Sequence, residues 1–321
     1  MLLAILFLVG GIALILIGAD KLTDGASSLA AKFNISDIVI GLTVVAFGTS
    51  MPEFVISMIS SIKGSAELAI GNVVGSNIFN TLMLVGCAAV VAPISVSKST
   101  VGKDIPFTIL ASIVLFAMAN DILFDNGQQN IITRSEGILL LGFFAVFITY
   151  TLSIAHDKNP EDSDTEPTKD FPLWKCLVFI VLGLAGLIGG GELFVDGACE
   201  IARFMGVSES VIGLTIVAAG TSLPELATAI AAARKHNSGI VIGNAIGSNI
   251  FNIFWILGAS ACVSPLPLGN ITIFDLTTLL ISGFLLWIFA HSKMSVNRIE
   301  GAIMITGYVS YITYMVITSG N

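Results

Sequence analysis

Two glutamates, Glu53 and Glu225, stand inside long apolar stretches, each closing a Gly-Thr-Ser-x-Pro-Glu run. Read as one straight helix over 38–62, the first stretch places Glu53 about 22 Å from the start of a rod about 37 Å long. A charged carboxylate at such depth in a bilayer costs at least about 2.5–3.5 kcal/mol, and neither run holds a lysine or arginine before its far end. A bound cation or a proton is the remaining partner. A permanently protonated acid serving as a hydrogen-bond donor is the bland alternative, and it has to occur twice. Thr49 and Ser50 precede Glu53 by four and three residues, and Thr221 and Ser222 precede Glu225 likewise, so oxygens stack on neighbouring turns of one helical face. Pro52 and Pro224 withdraw the backbone donor that would serve the carbonyls of Gly48 and Gly220. Freed carbonyls inside a membrane need a partner, and a cation is one; a kink used only for packing is the alternative. Downstream, GNVVGSNIFN and GNAIGSNIFN add Ser76 with Asn80 and Ser248 with Asn252 at helical i, i+4 spacing, with Asn77 and Asn249 close to that face. Ordinary interhelical hydrogen bonding also accounts for such amides. Gly71, Gly75, Gly243 and Gly247 allow unusual backbone angles and close helix approach. Carboxylate, amide, hydroxyl and carbonyl oxygens together suit a hard cation such as calcium, which takes six to eight of them. No Cys or His joins the set, which argues against zinc or copper; His156, His236 and His291 fall near span ends.

These motifs occur twice at one offset. Shifted by 172 residues, VIGLTVVAFGTSMPEF (39–54) falls on VIGLTIVAAGTSLPEL (211–226) with 12 of 16 positions identical. The same shift lays 71–80 on 243–252 with 8 of 10 identical, and Asp24-Gly25-Ala26 on Asp196-Gly197-Ala198. One offset for all three means that a whole unit was duplicated. A duplication that merely builds a stable bundle does not require polar and ionisable residues to match.

The elements that position them are membrane spans. The chain has 321 residues, 55% hydrophobic and 11% charged, with mean hydropathy +0.94. Water-soluble domains carry about 25% charged residues, so lipid is the expected solvent. Segments of about 20 apolar residues fall at 2–19, 38–62, 69–92, 105–120, 135–155, 172–193, 210–233, 239–262, 272–291 and 299–318. They lack the alternation of barrel strands, so an all-α fold of ten transmembrane helices is expected. Eleven of the 14 Lys and Arg fall on one side of the membrane and Lys63, Arg134 and Arg203 on the other. The richer side is predicted to be cytoplasmic, leaving both termini outside. Five spans per copy is an odd number, so the second copy enters the bilayer upside down, the inverted repeat of secondary transporters. The halves are 1–155 and 172–321, joined by a polar, acidic cytoplasmic linker at 156–171. Cys87, Cys176, Cys199 and Cys262 lie in or beside apolar runs and read as small buried groups, and the opening MLLAILFLVGG reads as a first span rather than a cleaved signal. No basic surface suggests nucleic acid, and the scattered acids make the net charge of −8 uninformative.

The paired GTSMPE/GNVVGSNIFN and GTSLPE/GNAIGSNIFN motifs resemble the two alpha-repeats of the sodium/calcium exchangers, in the calcium/cation antiporter superfamily. The resemblance covers nearly the whole chain. It implies that Glu53 and Glu225 bind calcium with the backbone carbonyls of Thr49 and Thr221. Sodium would occupy adjoining sites on the same carboxylates, with the Ser76 and Ser248 hydroxyls and carbonyls near Ala46 and Ala218. Asn80 and Asn252 would line the centre, and Ser50 and Ser222 accompany the carboxylates. The family commonly exchanges three sodium ions for one calcium, with spans one and six sliding past the rest. An acid at position 252 marks potassium-dependent relatives, so Asn252 argues against potassium coupling. The Gly-Ser-Asn of the GN motif disfavours proton coupling. The transported ions and the lipid bilayer are the only partners expected, with no cofactor and no enzymatic chemistry, and a monomer is sufficient. A calcium/proton exchanger is the runner-up. A cation channel is a third reading, although channels usually gather several copies around a pore.

Overall fold

The computed structural model describes residues 1–124, 127–155, 170–205 and 218–319. Almost all of them are helical. Among the described residues, eight helices are long and apolar enough to cross a membrane: α1 (Leu2–Phe33), α4 (Glu67–Val91), α5 (Thr100–Met118), α6 (Arg134–Ser153), α7 (Leu173–Phe204), α10 (Ser238–Val263), α11 (Ile273–Lys293) and α12 (Arg298–Thr318). A bent pair, α2 (Asp37–Thr49) and α3 (Met51–Ile62), is long and apolar enough only when its two helices are taken together. The predicted span 210–233 begins outside the described residues. Its described part is one turn, α8 (Ala218–Thr221), followed by α9 (Leu223–Arg234). Of the predicted linker, 156–169 lies outside the described residues. Asp170 pairs with Lys32 at 3.2 Å, and the Phe171 N–H donates to Ser28 Oγ at 3.1 Å.

Three expectations need correction. The span over 38–62 is not one rod. It breaks at Ser50, whose φ/ψ of −80°/6° is not helical, and resumes 48° off axis with Pro52 in the first turn of α3. A proline is tolerated there because first-turn N–H groups have no intrahelical partner. Glu53 therefore sits at the start of a helix, beside a break, rather than midway along a continuous one. Ser222, with φ/ψ of −92°/7°, separates α8 from α9 in the same manner. Secondly, the helices over 2–19 and 172–193 run on to 32 residues each, because they pair with each other well past their apolar runs. Thirdly, the GN-motif glycines all keep helical backbone; among the described residues the positive-φ glycines are Gly64 and Gly269. Close approach holds for Gly243 and Gly247, where a Cβ would meet the Ile38 carbonyl oxygen at 2.5 Å and the Leu42 carbonyl oxygen at 2.8 Å. Gly71 and Gly75 have no such neighbour among the described residues.

Helices α4 and α10 form the centre and are enclosed on most sides, whereas α1, α6, α7 and α12 lie outermost. Both central helices widen into π-turns directly after the GSN motif, at Phe79–Leu84 and Phe251–Leu257. Such turns are rare and gather at functional sites; here they contain Asn80 and Asn252.

Helices α1 and α7 lie antiparallel along each other. Glycine recurs every seventh residue on both, at 11, 18 and 25 and at 183, 190 and 197. The backbones meet directly. A Cβ on Gly11 would lie 2.7 Å from the Gly190 carbonyl oxygen, and one on Gly18 would lie 2.8 Å from that of Gly183. Small residues let helices in lipid gain dispersion and Cα–H contacts that larger side chains would prevent. Two short antiparallel ladders cap the bundle: β1 (Ile94–Ser95) with β4 (Ser295–Val296), and β2 (Ile131–Ile132) with β3 (Leu266–Pro267). They mark opposite ends. Ser95 N–H donates to Ser238 Oγ at the first, and Gly269 abuts Glu67 at the second.

Candidate ion-binding site

The helix breaks bring the two acidic motifs face to face. Ser50 donates to Glu225 Oε1 at 3.1 Å, and Ser222 donates to Glu53 Oε1 at 3.1 Å. Each carboxylate is thus held by the serine that precedes the other one by three residues. Both glutamates and both serines are wholly buried. No Lys, Arg or His forms an ion pair with either glutamate among the described residues. Ser222 also lies 3.1 Å from Ser76 Oγ, joining the first GSN motif to the cluster. Thr49 Oγ1 lies 3.0 Å from the Val45 carbonyl oxygen and 3.4 Å from that of Ala46. Ala46 is itself buried, and its carbonyl accepts the Ser50 N–H at 3.0 Å. Ala218 and Thr221 occupy the single turn α8, just before Ser222.

Among the described residues, several buried polar atoms have no hydrogen-bond partner: Glu53 Oε2, Glu225 Oε2, Ser248 Oγ, Asn249 Oδ1, Asn252 Oδ1 and both side-chain atoms of Asn80, with Asn120 Oδ1 and Ser260 Oγ outside the motifs. Buried polar groups are almost always satisfied, and leaving one unmade costs about 1–3 kcal/mol, more if charged. The orphans concentrate on the motif residues, and nearly all are acceptors. Carboxylate, hydroxyl and amide oxygens gathered this way fit calcium, with its six to eight oxygen ligands at about 2.3–2.6 Å. They fit sodium by the same hard-oxygen logic.

Two residues not singled out from sequence hold the cluster in shape. Asn72 Nδ2 donates to the Glu53 carbonyl at 3.2 Å and to Ser57 Oγ at 2.9 Å. Asn244 Nδ2 donates to the Glu225 carbonyl at 3.1 Å, while its Oδ1 accepts from Thr49 Oγ1 at 3.2 Å. Each reaches the glutamate 19 residues upstream. The signal was present, since both are the Asn of the repeated Gly-Asn, but their role depends on helix placement. A second amide chain crosses the centre. Asn252 Nδ2 donates to Asn77 Oδ1 at 2.9 Å, Asn77 Nδ2 to the Asn249 carbonyl at 3.1 Å, and Asn249 Nδ2 to Thr81 Oγ1 at 2.8 Å. Asn252 is thereby oriented with its oxygen free.

Fold and site together define a multi-pass helical membrane protein whose two copies of one motif share a buried, doubly acidic cluster. The chain belongs to the sodium/calcium exchanger protein family, whose model matches residues 3–153 and 175–317. It is 35% identical to the putative antiporter CaxA of Alkalimonas amylolytica, over 97% of this chain and 98% of that one. It is 31% identical to the sodium/calcium exchanger MaX1 of Methanosarcina acetivorans, over 97% of each. Among solved structures, the sodium-calcium exchanger NCX_Mj superposes with a TM-score of 0.84 at 33% identity, over 98% of both chains.

Proposed function

We propose that this protein exchanges sodium for calcium across the membrane by alternating access. The observation that carries the reading is the reciprocal pair of carboxylates, each tied to the other half's serine and each with one oxygen that no hydrogen bond among the described residues reaches. In this reading the chain forms ten spans, as inverted halves 1–155 and 172–321 around a cytoplasmic linker at 156–171, with both termini outside. Glu53 and Glu225 bind calcium with the carbonyls of Thr49 and Thr221. The same carboxylates, with Ser76, Ser248 and the carbonyls of Ala46 and Ala218, bind sodium. Ser50 and Ser222 orient the carboxylates, and Asn80 and Asn252 line the middle. The α1–α7 pair slides against the remaining bundle to open one side at a time.

Competition at a site of charge −2 couples the ions. One calcium neutralises it, and three sodium ions leave +1, so the loaded forms differ by a charge. Exchange is then electrogenic, with about 2.3 kcal/mol per 100 mV acting on that charge. The test is uptake of radioactive calcium into proteoliposomes under sodium, potassium and proton gradients imposed separately. Uptake driven by sodium alone and accelerated by the matching membrane potential is the expected result. Uptake driven by a pH gradient without sodium would instead make the protein a calcium/proton exchanger. Uptake needing no counter-ion gradient would make it a channel.

A further inference from the structure

Helices α1 and α7 are longer than a bilayer requires. A crossing of about 30 Å takes about 20 residues, whereas each of these helices has 32. Each carries an acidic pair one turn apart, at or past the end of its apolar run: Asp20 and Asp24 on α1, Glu192 and Asp196 on α7. These positions correspond at the offset of 172. The same offset relates Lys63, which follows α3, to Lys235, which follows α9. Each half therefore holds one lysine at the foot of its Glu-bearing helix and one acidic pair on its long helix.

The structure uses only one of the two combinations across halves. Lys235 Nζ lies 3.1 Å from Asp24 Oδ1 and 3.5 Å from Asp20 Oδ1, and it donates to the Asp20 carbonyl at 2.9 Å. Beside it, Asn237 Nδ2 donates to Ser27 Oγ on α1 at 3.0 Å. Helix α1 packs along α9 at this end. At the opposite end Lys63, Glu192 and Asp196 are all exposed, and none makes an ion pair among the described residues. Helices α7 and α3, the counterparts of α1 and α9, scarcely touch. Among the described residues, that end lacks the contact that joins α1 to α9.

We propose that Lys235 and Lys63 are the two halves of an alternating latch. In the arrangement seen here, Lys235 holds Asp20 and Asp24 and keeps its end of the bundle shut. When the α1–α7 pair slides, which rests on the alternating-access reading above, that contact parts. Lys63 then engages Glu192 and Asp196 and shuts the other end. The glycine seam makes this a single event, because α1 and α7 travel together and one end cannot close without the other being released. The acids and lysines lie at or beyond the ends of the apolar runs and are at least partly exposed, so water softens each pair. Such pairs bias an equilibrium by roughly two- to five-fold, enough to balance two states without trapping either.

The test uses the reconstituted full chain with Cys87, Cys176, Cys199 and Cys262 replaced by alanine. One variant carries Asp24→Cys with Lys235→Cys, another Asp196→Cys with Lys63→Cys. A short bis-methanethiosulfonate reagent bridges any pair that comes together. Both pairs are expected to bridge. Adding Lys63→Glu to the first variant sets like charges against each other at the far end and is expected to speed its bridging roughly two- to five-fold. Further replacement by Glu192→Lys and Asp196→Lys should return the rate to its starting value. Lys235→Glu should likewise speed bridging of the second variant. Bridging at 24/235 but never at 196/63 would overturn the proposal, as would rates indifferent to Lys63→Glu and Lys235→Glu. Bridging reports distance and needs no transported ion, so its failure is separable from a failure of sodium-driven calcium uptake.

Discussion

Replacing Glu225 by glutamine is the most incisive perturbation of the site. The side chain keeps its length, and its amide oxygen still accepts from Ser50, now 3.1 Å from Oε1. Only the charge is lost. The wild-type pair neutralises a bound calcium, whereas Glu225→Gln leaves a net +1 in a wholly buried cluster. An uncompensated charge at that depth costs about 2.5–3.5 kcal/mol, which at 1.4 kcal/mol per decade is a 60- to 300-fold loss of calcium affinity, roughly. The assay is thermal unfolding of detergent-solubilised protein titrated with calcium. At a calcium concentration 100 times its dissociation constant, the wild type gains about 2.7 kcal/mol. At that same concentration the variant should gain less than about 0.6 kcal/mol, and exchange in proteoliposomes should vanish. Without ions the variant should be at least as stable as the wild type, because a buried acid that lacks a basic partner is gone. A variant that binds calcium as the wild type does, or one that unfolds without ions, refutes the reasoning.

Asn244→Ala should lower calcium affinity more than Asn72→Ala. Asn244 fixes both Thr49 and the Glu225 carbonyl, and two hydrogen bonds of about 1 kcal/mol each correspond to about a 30-fold loss in isothermal titration; equal affinities for wild type and variant would count against a positioning role. Asn252→Asp would set a carboxylate against Asn77 Oδ1, since Asn77 Nδ2 is committed to the Asn249 carbonyl. It should weaken sodium-driven exchange measurably at neutral pH, and an unchanged rate would mean that the central amide chain does not orient residue 252. Gly11→Ala should destabilise the protein by about 1–3 kcal/mol, because its Cβ would fall 2.6 Å from the Phe194 nitrogen. Gly10→Ala, next door with nothing within 4 Å, should be neutral; a thermal-shift comparison of the two decides.

Much of this was legible in the sequence because duplication doubles every signal. The pairing of Glu53 with Glu225, and the oxygens around them, could be read from one offset. The break at Ser50 could not. Pro52 announces a disturbance, but whether a proline bends a helix or restarts it depends on what receives the freed groups. The roles of Asn72 and Asn244 are not legible in sequence, because an amide next to glycine resembles a packing residue until its partner helix is in place. The ends of α1 and α7 were misjudged for a different reason. Apolar length measures contact with lipid, and these helices continue on contact with each other. Their glycines at 11, 18 and 25 were visible, but a seven-residue spacing has meaning only once the facing helix is known.

The seam between α1 and α7 has one more property. Gly11 meets Gly190 and Gly18 meets Gly183, while 183 and 190 are the duplicates of 11 and 18. Every contact is thus the mirror of another, as across the dyad of a homodimer. A half-length ancestor inserted in both directions would have closed this joint with a second copy of itself. Fusing two such genes would have needed no new surface there, only a tether.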